Sequence, residues 1–147
     1  MSISVEFLEK AVKVVSKKGR EKAGALNNLG AALYNWAELI EGKKPEEARK
    51  KYERAIECFD KALEINPNFA EAWSNKGSAL DGLGRYKEAV ESKGKAAFLL
   101  CLEGRIDIAF KIFKEVYDKR LNIPICYECG VAPVSYTHLT LPTILLV

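Results

Sequence analysis

Histidine is almost missing from this chain: His138 is the single one among 147 residues. That leaves little for imidazole acid–base or metal chemistry. Four cysteines are too few for a disulfide-built scaffold. Five prolines and ten glycines exclude a collagen-like or linker-like composition. No run approaches the roughly eighteen apolar residues of a membrane span; the longest is 96–102. Charge of one sign is also lacking. Twenty-three Lys and Arg against twenty Asp and Glu leave a net charge of +3, which gives no argument for nucleic acid or an anionic membrane as main partner. Glu6 and Glu9 stand where a signal peptide needs an apolar run, so the expected location is cytoplasmic. What is present, 48% apolar and 29% charged residues in 16.4 kDa, suits one soluble domain or a short repeat array.

Residues 134–143, VSYTHLTLPT, match ten successive codons in one frame of a transposase adapter used in sequencing-library preparation. The stretch carries no charged side chain, in contrast to what precedes it. We therefore expect 134–147 to be a non-native tail, disordered or extended, and the natural sequence to continue differently after Pro133. His138 falls within that tail, so it is kept out of the functional reading.

Helical periodicity fills the rest. Residues 3–18 carry Leu8, Ala11, Val12 and Val15 on one stripe, with Gly19 as the expected stop. Residues 22–41 carry Leu26, Leu29, Leu33, Ala37 and Ile40, ended by Gly42. Pro45 suits a first helical turn, with Glu46 and Glu47 at its positive end. Tyr52, Ala55, Ile56, Phe59, Ala62 and Leu63 then form one apolar face, closed by Asn66-Pro67. Further helices are expected over 69–81 and 85–102, with a Gly84 turn between them, and over 105–119 after Gly104. The fold class is all-α.

Tyr52 and Tyr86, Ala55 and Ala89, and Ala62 and Ala96 are each 34 residues apart. Trp73-x2-Lys76-Gly77-x2-Leu80 with Ala89, and Leu26-x2-Leu29-Gly30-x2-Leu33 with Ala55-x3-Phe59 and Pro67, follow one pattern in two successive units. Small residues sit where backbones approach, large ones fill the space between helix pairs, and proline closes a unit. In these residues the chain resembles the tetratricopeptide repeat family. The resemblance implies a helical-hairpin solenoid of about two units plus flanking helices: a repeat domain over 1–121, with units at 22–67 and 69–102. It also predicts like surroundings for Tyr52 and Tyr86. Three departures stand out. The first unit has a 13-residue insertion after Gly30; Lys93 holds the place of Phe59; and Gly84 to Gly104 spans only 20 residues, so a third unit is degenerate or has lost its first helix.

Stacked helix pairs curve around a groove suited to a peptide or a partner helix. Alignment to the family pattern implies that Asn27, Ala31, Tyr34 and Asn35 from one unit face it, and Ser74, Asn75, Ser78 and Asp81 from the next. Some members clamp a peptide C-terminal carboxylate with Lys and Asn. Asn75 matches that clamp, whereas Asn27 and Ala31 stand where a Lys and an Asn are needed, so chaperone-tail recognition is not carried over.

Cys126 and Cys129, in a Cys-containing segment over 122–133, have the spacing of half a zinc knuckle. They supply two of four ligands, so no cofactor is expected unless a second ligand pair is provided. The basic cluster from Lys10 to Lys22 has no interleaved aromatic residues, and nucleic acid is not the expected partner. With no phosphate-cradling loop and no nucleophile motif, the chain is not expected to be an enzyme. The expected function is a protein–protein interaction scaffold, with self-association able to supply missing apolar contact. The alternative is an accessory repeat domain of a larger zinc-binding or catalytic protein.

Overall fold

Six helices follow one another in the computed structural model, which describes residues 2–14 and 19–118. They are α1 (Ser2–Val14), α2 (Gly19–Ile40), α3 (Pro45–Ile65), α4 (Ala70–Gly82), α5 (Tyr86–Leu102) and α6 (Ile106–Asp118). No strand occurs among the described residues, which form an all-α helical repeat. The Cys-containing segment and the tail from 134 lie outside them.

Local chemistry sets the boundaries. Pro45 opens α3 where a missing N–H costs nothing, and Glu46 and Glu47 follow it in the first turn. The helix ends at Asn66, whose backbone N–H donates to the Ala62 carbonyl at 2.9 Å. Gly19 does not stop a helix as expected; it opens α2, and residues 15–18 lie outside the described ones. A glycine costs little in a first turn, where its backbone is only partly committed to helical hydrogen bonds.

Two turns share one construction. Gly84 has φ +75° and Gly104 φ +78°. Arg85 N–H donates back to the Leu80 carbonyl at 2.9 Å, and Arg105 N–H to the Leu100 carbonyl at 2.8 Å. This is the left-handed helix cap that favours glycine. A Cβ at Gly84 would meet nothing within 4 Å, so the cost of substitution is conformational alone. Gly84→Ala should lower stability by about 1–2 kcal/mol and Gly84→Asn by less, as read from urea denaturation.

Helix α2 packs chiefly on α3, and α4 on α5; α3 with α4 and α5 with α6 join these pairs into a series. One core gathers Leu33, Tyr52, Ile56 and Phe59 with Leu80 of the next pair. A second gathers Val90, Ala97 and Leu100 with Ala109, Phe113 and Val116. Arg54 of α3 pairs with Glu9, which fastens α1 to the stack. The insertion lengthens α2 to 22 residues against 13 in α4, and its added Trp36 and Ile40 pack on the first core.

The stride of 34 has a physical basis at two matched wedges. A Cβ on Gly30 would lie 2.5 Å from Cε1 of Phe59, and one on Gly77 would lie 2.5 Å from Cγ of Lys93. Both glycines let a second-helix side chain enter the first helix's backbone surface. Ala55 and Ala89, and Ala62 and Ala96, are buried alike. Tyr52 and Tyr86 are not: Tyr52 is 3% exposed and Tyr86 is 54% exposed. The Tyr52 ring lies against Gly82 of the next pair. Thirty-four residues beyond Gly82 stands Val116, and α6 enters only twenty residues after the Gly84 turn, so Tyr86 lacks a matching glycine.

Candidate functional site

Lys93 takes the buried place that Phe59 holds in the first pair, and a lone ammonium there would be strongly destabilising. It is 3% exposed, with its stem against Gly77. Its Nζ donates to Oδ2 of Asp81 at 2.7 Å and to Oε1 of Glu115 at 2.5 Å. Burial pulls the Lys93 pKa down, but these two bonds and charges outweigh it and the net direction is up. One side chain of α5 thus ties α4 to α6.

Beside this bridge lies an open cleft of about 650 Å³. Tyr34 and Glu38 line it from α2, Glu41 from the turn after α2, Tyr52 from α3, and Ser78 and Asp81 from α4. Lys93, Glu115 and Tyr86 complete the wall. Tyr34 Oη donates to Oε1 of Glu38 at 2.5 Å, and Tyr52 Oη donates to Oε2 of Glu41 at 3.4 Å. The two rings are 5.7 Å apart and tilted by 53°, within the range of favourable aromatic pairs. Burial first, and then the adjacent carboxylates, push Tyr52 up to about 12 and raise Tyr34 as well.

Tyr34, Tyr52 and Lys93 therefore all hold their protons more tightly in the folded chain. Their stabilisation is complete below about pH 10, the ordinary tyrosine value, and is lost as pH climbs through the folded values. We expect the urea midpoint to be flat near pH 8 and to fall steadily above about pH 10. A midpoint unchanged at about pH 11 would show that these protons are not held by the fold.

The structure divides the eight residues expected to face the groove. Tyr34, Ser78 and Asp81 line the large cleft. Ser74 and Asn75 line a smaller one of about 250 Å³, with Arg105, Ile108 and Ile112. Asn27 is buried, its Oδ1 accepting from Asn75 Nδ2 at 3.0 Å, while Ala31 is half-buried and Asn35 exposed. Sequence reasoning missed Glu38, Glu41, Tyr52, Lys93 and Glu115. A signal existed for Lys93, because a charge in the place of a core phenylalanine requires a partner. Cys126 and Cys129 lie outside the described residues, among which no group of three or more His, Cys, Asp or Glu could hold a metal ion.

Comparison with known proteins bears on these wedges and turns. The TPR repeat family matches residues 48–84, the stretch from α3 to the Gly84 turn. The chain carries a tetratricopeptide repeat. The chain is 56% identical over 39 residues to an uncharacterized protein of Methanocaldococcus jannaschii, covering 26% of this chain and 45% of that protein. The chain is also 36% identical over 95 residues to a peroxisomal targeting signal receptor of Kluyveromyces lactis, covering 60% of this chain and 17% of the receptor. It thus spans under half the length of both relatives. No solved structure gives a significant match. The match supports a protein–protein interaction repeat over 48–84, of a family that is generally non-catalytic. No helix among the described residues is long and apolar enough to cross a membrane.

Proposed function

We propose that the chain is an interaction scaffold that docks a peptide or helix of a partner protein in the groove along α2, α4 and α6. The observation that carries this reading is the cleft itself. Residues of α2 to α6, with the Lys93 bridge among them, surround about 650 Å³ walled by tyrosine rings and polar groups. Rigid aromatic walls supply contact area at small entropic cost, and carboxylates and hydroxyls supply hydrogen bonds. Ser78, Asp81 and Tyr34 are the expected groove residues that line it, while Ser74 and Asn75 line the separate smaller cleft beside α6. Asn27 supports Asn75 from beneath, and Ala31 and Asn35 belong to the α2 side.

Peptides selected from a random display library on the whole chain test the reading. Selected peptides should bind the Tyr34→Ala and Ser78→Lys variants at least several-fold more weakly, with helicity unchanged by circular dichroism. Undiminished binding to both variants would place the docking surface elsewhere. A larger parent protein, for which this repeat is an accessory domain, is the second reading; the fraction of each relative that the chain spans favours it.

A further inference from the structure

The charge of the cleft is opposite to that of the chain. Among the described residues that line it, the carboxylates Glu38, Glu41, Asp81 and Glu115 outnumber the one cationic side chain, Lys93, in a chain of net charge +3. Two of these carboxylates are already engaged in the Lys93 bridge. The other two are held differently. Glu38 near the end of α2 and Glu41 in the turn just after it accept tyrosine hydroxyls, and among the described residues neither is ion-paired with a cation. A carboxylate that accepts one hydroxyl retains unused lone pairs, and the tyrosines fix the direction in which those point.

Tyr86 is an independent mark of the same place. Its partner in the repeat, Tyr52, is buried against a neighbouring helix, whereas the Tyr86 ring stays half-open on the cleft wall. An accessible phenol face beside carboxylates suits a cation, which the ring quadrupole and the charges attract together. An anionic segment would meet repulsion at the same wall.

We propose that the occupant is a cationic segment, a Lys- or Arg-bearing stretch of a partner protein that seats its charges between Glu38, Glu41 and the Tyr86 ring. This rests on the groove-docking reading and specifies the partner's chemistry. The lysines and arginines over the rest of the surface disfavour such a segment elsewhere, so the attraction is local to the cleft.

Fluorescently labelled alternating Lys-Ala, Glu-Ala and Ser-Ala peptides, titrated into the whole chain by anisotropy, provide the test. The Lys-Ala peptide should bind and weaken steeply with added salt, while the other two do not bind. The E38Q/E41Q double variant should lose roughly tenfold in affinity, and E57Q/E64Q, an equal charge change at exposed α3 positions outside the cleft, should lose none. Equal Lys-Ala affinity for the double variant and the unaltered chain would overturn the proposal. Binding of Glu-Ala or Ser-Ala alone, sensitive to Tyr34→Ala, would overturn it while leaving the groove reading intact. Failure of all three peptides, together with failure of library selection, would remove both.

Discussion

Replacing Phe59 by alanine should cost about 3–5 kcal/mol, the largest single loss expected in this chain. The ring is fully buried and fills the surface left open by Gly30, with three ring carbons within 3 Å of where a Cβ would stand. Truncation removes its transfer free energy and leaves a void between α2, α3 and α4 that rigid helices close only in part. Since small domains are stable by about 5–15 kcal/mol in all, the variant should sit close to its unfolding midpoint at room temperature. The reverse error is expected at Gly30→Ala. The added methyl collides with the ring at about 1–3 kcal/mol, partly offset by roughly 1 kcal/mol of helix propensity. Phe59→Leu in the Gly30→Ala background should then cost less than the sum of the two changes. Urea denaturation of the four proteins gives the coupling, and strict additivity would mean that the wedge is not a contact.

Asp81→Ala is expected to cost about 3 kcal/mol, whereas Lys93→Met should change stability by less than about 1 kcal/mol or raise it. The asymmetry comes from burial. The Lys93 side chain is 4% exposed, so losing its more buried acceptor leaves the ammonium, which cannot reach water easily, to the half-exposed Glu115. Losing the ammonium instead leaves carboxylates that are 14% and 52% exposed and can be hydrated. Glu115→Ala should fall between, nearer the small effect, because the Glu115 side chain is half in solvent already. Denaturant midpoints of the three variants decide the matter. Equal losses for Asp81→Ala and Lys93→Met would show that the pair is not desolvated.

Much of this fold is written in short-range chemistry. Pro45, Asn66-Pro67, Gly84 and Gly104 each mark a helix end through a local constraint, and the 34-residue stride relates Phe59 and Lys93, which face Gly30 and Gly77. Gly19 misled because a glycine at a helix start and one at a stop look alike in one dimension. Tyr86 misled for a different reason. Its burial would depend on the far end of the next helix, and the shortened approach of α6 leaves its ring without the cover that Gly82 gives Tyr52. The candidate cleft was legible on its α4 side, where the family pattern points to Ser78 and Asp81. The acidic end of α2 was not, since Glu38 and Glu41 resemble any solvated helix carboxylate until Tyr34 and Tyr52 are brought alongside.

The twin glycine caps have one more consequence. Gly84-Arg85 and Gly104-Arg105 bond to the preceding helix in the same way, and Ala109 and Phe113 come after the second as Ala89 and Lys93 come after the first. The twenty residues between them form a cassette with interchangeable ends. Excising 85–104 would splice α4 directly to α6 through an unaltered hinge, delivering an aromatic ring where the ammonium had been. Length can therefore change here by a whole helix with no new loop to evolve.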